Sequence, residues 1–136
     1  MDAALLDTDI LNEVLKQKNV QVLQHASAYL GQHGQFAVSS ITRYEVVRGL
    51  KEKQATKQLT RFTTFCQHSL ILPTSDAILD RAADLWVAAR RGGHPGRDAD
   101  LIIAATALEH GRVLVTGNTP HFSWVSGLRL ANWRQP

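Results

Sequence analysis

Five of the twelve acids in this 136-residue chain fall in three separated segments where carboxylates could be gathered to do chemistry. Asp7 and Asp9 bracket Thr8 after the apolar run Ala3 to Leu6. Glu45 lies in Thr42-Arg43-Tyr44-Glu45, and Asp98-Ala99-Asp100 precedes Leu101-Ile102-Ile103-Ala104-Ala105. A fourth segment, Thr116-Gly117-Asn118-Thr119, offers hydroxyls, an amide and backbone N–H groups suited to a phosphate or a metal-bound water, although it is equally an ordinary turn. Each acid has a plain structural use. Asp and Thr are common N-caps, worth ~1 kcal/mol. Thr42-x-x-Glu45 matches a capping box. An acid in the first turn of a helix gains a few tenths to ~1 kcal/mol from the dipole, so capping accounts for one of Asp98 and Asp100. Two acids around one alanine exceed that need.

Charge gives the cluster a context. Outside these five acids, the other seven face fifteen Lys and Arg, a surplus of eight positive charges on a chain of formal charge +3. An anionic centre in a cationic surface suits a metal ion and a polyanion.

The elements that must position these residues are short strands alternating with helices. The reading is a strand from Ala3 to Leu6, helical spacing from Ile10 to Leu15, and a helix from Val20 to Leu30 stopped by Gly31 and Gly34. A strand Phe36-Ala37-Val38 follows, then a helix capped by Ser39 or Ser40 with Ile41, Tyr44, Val47 and Leu50 on one face. A further helix covers about 55–67, and Leu70-Ile71-Leu72 is a third strand. The helix over 77–91 carries Ile78, Ala82, Leu85, Trp86 and Ala89 on one side and ends at Gly92-Gly93. Residues 101–108 form a helix apolar nearly all round, hence buried. Val113-Leu114-Val115 is a fourth strand, and Leu128-Arg129-Leu130 a fifth at the edge. This order predicts a single domain over 1–136, an α/β/α sandwich around a short, mainly parallel sheet. Ligands of such sheets bind beyond the carboxyl ends of the strands, where Asp7 and Asn118 would both fall.

No apolar run is long enough to span a membrane. The N-terminal residues lack the basic and apolar regions of a signal peptide, and the lone cysteine, Cys66, excludes an internal disulfide and any cysteine-based zinc site. These features predict a cytoplasmic protein in which Cys66 fills core space.

Taken together, Leu5-Leu6-Asp7-Thr8-Asp9-Ile10-Leu11, Ser40-Ile41-Thr42-Arg43-Tyr44-Glu45 and Asp98 to Ala107 resemble the successive signatures of PIN-domain proteins. The segment from Leu114-Val115-Thr116-Gly117-Asn118-Thr119-Pro120-His121-Phe122 through Gly127-Leu128 to Trp133 is similar to VapC toxins of bacterial toxin–antitoxin pairs. The resemblance covers essentially the whole chain. It implies a magnesium-dependent endoribonuclease, with Mn²⁺ as a substitute ion, held in check by a cognate antitoxin and assembled as a homodimer. Asp7, Glu45 and Asp100 match the family's most invariant acids, and Asp98 matches one seen in many members. Those four are the implied catalytic and metal-holding residues. Asp9 stands where Asn or Ser is common, so with Thr8, Thr116 and Asn118 it is given a supporting role. Asn118 replaces an Asp of some PIN domains, which weakens a second metal position.

The chemistry is consistent with that set. Carboxylates repel a phosphodiester and must act through a cation, and Mg²⁺ takes oxygen ligands while keeping several waters. Asp7 and Asp100 are expected to hold an ion directly, with Asp98 and Glu45 acting through water or a second ion, while Arg43, Arg48 and Arg97 hold the RNA backbone. Phosphoaspartate enzymes and receivers also place acids after a first strand, but they need a late lysine. Here Lys57 is the last lysine, and Leu11 stands where the dehalogenase motif has Thr or Val. A PIN-like DNA nuclease and a non-catalytic nucleic-acid or partner-binding module are the nearer alternatives. The binding module is disfavoured because clustered negative charge gives a pure RNA binder nothing.

Overall fold

A computed structural model describes residues 1–136. In chain order it contains β1 (Ala4–Leu6), α1 (Thr8–Lys16), α2 (Val20–His33), β2 (Ala37–Ser39), α3 (Ser40–Glu52), α4 (Thr56–Gln67), β3 (Leu70–Leu72), α5 (Asp76–Gly92), α6 (Asp98–Glu109), β4 (Val113–Val115), a 3₁₀ turn (Thr119–His121) and β5 (Leu130–Ala131). All strand pairings are parallel: β1 with β4, β4 with β5, and β2 with β3. β1 and β2 lie side by side, yet no ladder joins them, so the hydrogen-bonded sheet is two pieces, β1-β4-β5 and β2-β3.

Strands buried on both faces explain why their sequences read as continuous apolar runs. The pleat divides those residues between two cores. Ala4, Leu6, Val38 and Val115 point to one face, where they meet Ile10, Leu11, Val14, Val22, Tyr29, Val46 and Phe62 from α1 to α4. Leu5, Ala37 and Leu114 point to the other, against Ile103, Ala104 and Ala107 of α6 and Phe122. α5 packs outside α6 through Ile78, Ala82, Leu101 and Ala105. α6 is thus covered on both sides, and its central residues from Ile103 to Ala107 are all buried. This is the α/β/α sandwich. Each fully buried Leu or Ile contributes roughly 1.5–3 kcal/mol, which is what lets strands of three residues persist.

Some local expectations change. α2 runs through Gly31 and stops at Gly34, the residue with the left-handed conformation (φ 80°) that closes it. The inward face of α3 is set by Thr42 and Val46, and Tyr44 is 54% exposed under the Arg48 guanidinium. Trp86 is 41% exposed and covered by Arg90, because α5 needs only the narrow stripe of Ile78, Ala82, Leu85 and Ala89 against α6. The capping box is absent: Ser39 caps α3 by accepting from Thr42 N–H, which frees Glu45 for another partner. α6 has no side-chain cap at all, with Arg97 at the N-cap position, so Asp98 and Asp100 sit in its first turn, where the dipole favours them, but neither is a hydrogen-bonding cap. Leu128 and Arg129 lie ahead of the edge strand, which starts two residues later, at Leu130–Ala131.

Candidate active site

β1 and β4 end side by side, and Asp7 N–H extends the ladder to Val115 O at 2.9 Å. That bond turns the Asp7 side chain into the space beyond the strands. Oδ1 of Asp7 accepts from Thr8 N–H at 2.8 Å, and Oδ2 accepts from the buried Thr116 hydroxyl at 2.8 Å. Asp7 is only 7% exposed. Burial, then the neighbouring Asp9 and more weakly Asp100, push its carboxyl up to about 7, although both hydrogen bonds oppose the rise.

Asp9 lies in the first turn of α1. Its Oδ1 accepts from Ile10 N–H at 2.7 Å, and its Oδ2 from Gly117 N–H at 2.9 Å. The guanidinium of Arg134 stands 3.6 Å from the same Oδ2. Glu45 is brought in by α3. Its Oε1 accepts from the Thr8 hydroxyl at 2.9 Å, and its Oε2 lies 3.8 Å from Arg48. Thr8 Oγ1 is also 3.1 Å from Thr42 Oγ1, which in turn is 3.1 Å from Ser39 Oγ. Since a hydroxyl has one proton, the chain is satisfied when Ser39 donates to Thr42, Thr42 to Thr8 and Thr8 to Glu45. These side chains bridge β1 to β2 where no ladder does.

Asp100 is the third residue of α6 and half-buried. Its carboxyl is raised first by burial and also by Glu45 and Asp9, while Arg97 and His121 pull it down. Asp7, Asp9, Glu45 and Asp100 therefore form one electrostatic group. Asp98 is the exposed first residue of α6, and its side chain neither accepts a hydrogen bond nor pairs with a cation. Asn118 is at the entry to the 3₁₀ turn, its N–H donating to Thr116 Oγ1 at 3.1 Å.

The basic residues divide. Arg48 and Arg97 act on Glu45 and Asp100. Arg43 is turned to Cys66 on α4, whose thiol it acts on against the larger effect of burial. Arg43 and Glu45, two residues apart on a helix, cannot share a face. Arg134 and His121 reach the acids and were not singled out by sequence. Both follow β4, where only the Thr116 to Asn118 turn stood out as polar.

No three His, Cys, Asp or Glu side chains converge at ligating distance on one point. The donor set still fits a hard divalent ion, because Mg²⁺ is commonly held by one or two carboxylates and retained waters. Asp7 and Asp100, both raised above their ordinary range, are the carboxylates such a charge would most relieve.

The PIN domain family model matches residues 4–125. The chain is 28% identical over 130 residues to the tRNA(fMet)-specific endonuclease VapC of Shigella flexneri, covering 95% of this chain and 96% of that protein. The same identity and coverage relate it to ribonuclease VapC2 of Haemophilus influenzae. Among solved structures, it superposes on a chain of DNA-bound VapBC from Salmonella typhimurium with a TM-score of 0.86 at 24% identity, covering 98% and 99% of the two chains. It matches a chain of a toxin–antitoxin complex from Klebsiella pneumoniae at 30% identity and a TM-score of 0.74, covering 96% and 98%.

Proposed function

We propose a function from one premise: the chain belongs to the PIN-domain family. It acts as a magnesium-dependent endoribonuclease, the toxin of a toxin–antitoxin pair. The observation that carries this reading is Asp7, a buried carboxyl titrating near 7 at the end of the central strand, beside Asp9 and Asp100. So costly an arrangement calls for a cation, and a cation among acids is what metal-assisted phosphodiester hydrolysis uses. The endonuclease and ribonuclease names of the relatives, matched over 95% of this chain, support RNA as substrate, and the toxin–antitoxin complex from Klebsiella pneumoniae supports an antitoxin as partner.

When bound, a magnesium ion held by Asp7 and Asp100, with Asp98 and Glu45 through water or a second ion, would supply an activated water and neutralise charge on the leaving oxygen. The remaining steps fall to this chain's own groups. Thr8 and Thr116 fix the rotamers of Glu45 and Asp7. Glu45, with one oxygen tied to Thr8, presents its second, 3.8 Å from the exposed Arg48, to take a proton from the attacking water. Arg48 and Arg97 flank the acids and hold RNA phosphates, whereas Arg43 faces Cys66 and is left out. Exposed Leu79, Trp86 and Val87 on α5 support an apolar surface that pairing of two copies would cover.

The test is cleavage of single-stranded and looped RNA by the purified protein with Mg²⁺ or Mn²⁺, against DNA of the same sequence. Cleavage stops with EDTA, and expression without a partner arrests bacterial growth in the wild type but not in Asp7→Asn. Full activity in excess EDTA, preferential cutting of the DNA, or equal growth at equal soluble levels would overturn the proposal.

A further inference from the structure

The segment after β5 is fixed more firmly than a surface tail needs. Trp133 is buried, in contact with the Tyr29 and Phe36 rings. The His25 ring stacks on it at 6.1 Å between centroids, and His25 Nε2 lies 2.7 Å from Gln135 O. Between these two anchors, Arg134 N–H donates to Asn132 Oδ1 at 3.0 Å. The backbone of Arg134 is thus held on both sides while its side chain stays free to reach out.

That side chain lies over Gly117. A Cβ added to Gly117 would overlap the Arg134 guanidinium, and it would come within 2.8 Å of Asp9 Oδ2. Gly117 therefore leaves the gap through which Arg134 reaches Asp9. Asp9 in turn is occupied by protein donors: Ile10 N–H on one oxygen, Gly117 N–H and the guanidinium on the other. A carboxylate with that many donors is poorly placed to hold an ion and well placed to orient an arginine. Arg134 is 40% exposed at the side chain, so its other N–H groups face solvent at the rim of the acid group.

We infer that Arg134 is a phosphate-binding residue of the nuclease site, aimed by Asp9 and by the absence of a side chain at position 117. The substrate group it takes is a phosphate of single-stranded RNA next to the one being cut, and the fork of the guanidinium suits two phosphate oxygens. The inference rests on the ribonuclease reading above. It also recasts Asp9 as a positioning residue.

The experiment measures binding of a fluorescent mixed-sequence single-stranded RNA in the Asp7→Asn background, so that substrate is not consumed, across a range of salt. Adding Arg134→Ala weakens binding roughly tenfold, as expected for a lost charge-assisted contact, and lowers the slope of log affinity against log salt by about 0.7. Arg134→Lys keeps the slope and recovers only part of the affinity. Gly117→Ala reproduces the loss, because both the guanidinium and the Asp9 carboxylate that aims it must move, and it adds nothing to RNA binding once Arg134 is alanine. Melting temperatures stay within a few degrees throughout. Unchanged affinity and slope in Arg134→Ala, in a protein whose wild type cuts RNA, overturns this inference alone. A wild type that neither cuts nor binds RNA overturns the ribonuclease reading and this one with it.

Discussion

Replacing Asp7 with asparagine should make the metal-free protein more stable at alkaline pH while destroying its activity. Asp7 titrates near 7 in the fold against an ordinary 3.8. Between those values the native state binds more protons than the unfolded chain, so stability falls as pH rises and the deficit is complete above about 7. A gap of about 3 units corresponds to roughly 4 kcal/mol. Asparagine removes that deficit and loses little hydrogen bonding. Its carbonyl can accept from Thr8 N–H, and its NH₂ can donate to Thr116 Oγ1 beside Asn118 N–H, although the Thr116 proton then turns away from its carboxylate acceptor. Allowing about 1 kcal/mol for the weaker neutral contacts leaves a gain of roughly 2–3 kcal/mol. At about 2.1 cal/mol/K per residue of unfolding entropy, each kcal/mol moves the midpoint by roughly 3–4 °C. Asp7→Asn in EDTA should therefore melt roughly 6–12 °C above wild type at pH 8. The difference should shrink steadily toward pH 4, where Asp7 of the wild type is protonated. Thermal melts followed by circular dichroism across that range give the answer. An Asp7→Asn protein melting lower at pH 8, or a difference that does not change with pH, would refute the electrostatic argument and leave Asp7 as a helix cap.

Asp100→Asn should also melt at or above the wild-type apo temperature, because the acid caps nothing and its carboxyl is raised by burial, Glu45 and Asp9; a fall of several degrees would assign it to the helix. Millimolar Mn²⁺ at about a hundred times its Kd should raise the wild-type midpoint by an amount equivalent to roughly 2.7 kcal/mol, and this gain should vanish in Asp100→Asn and return to baseline with EDTA. In cleavage assays, Asp7→Asn and Asp100→Asn should lose activity below detection, and Asp9→Asn should lose less, chiefly in KM. Trp133→Ala should cost roughly 3–5 kcal/mol as a large-to-small core change, read by urea denaturation, and should also weaken RNA binding by releasing Arg134.

The alternation of strands and helices was legible because β1 and β2 are buried on both faces and several helices have a marked start or stop, such as Ser39 or Gly34. Faces of single helices were less so. Spacing of three placed Tyr44 and Trp86 inward, but a short sheet covers only a narrow stripe, and Thr42 fits a tight polar corner that no apolar pattern reports. Asp7, Glu45 and Asp100 were identifiable as candidates because acids beside apolar runs are conspicuous. Arg134 was not, since one arginine among several in a cationic chain has no local signature. Its meaning comes from Gly117 and Asp9, more than a hundred positions away in sequence for the latter. The separation of Arg43 from Arg48 likewise depends on which way α3 is turned, which hinges on Ser39 rather than Thr42 as its cap.

The seam between β1 and β2 has a consequence for how the site adjusts. Strands joined by a ladder can shift past one another only in steps of whole residues, since every intermediate offset breaks all their hydrogen bonds. β1 and β2 share no such ladder, and hydroxyls of Thr8, Thr42 and Ser39 span the gap instead. Hydroxyl rotors follow small displacements without losing their partners. The spacing between Asp7 on one side and Glu45 on the other is therefore free to adjust without a change of register, while the paired strands stay locked.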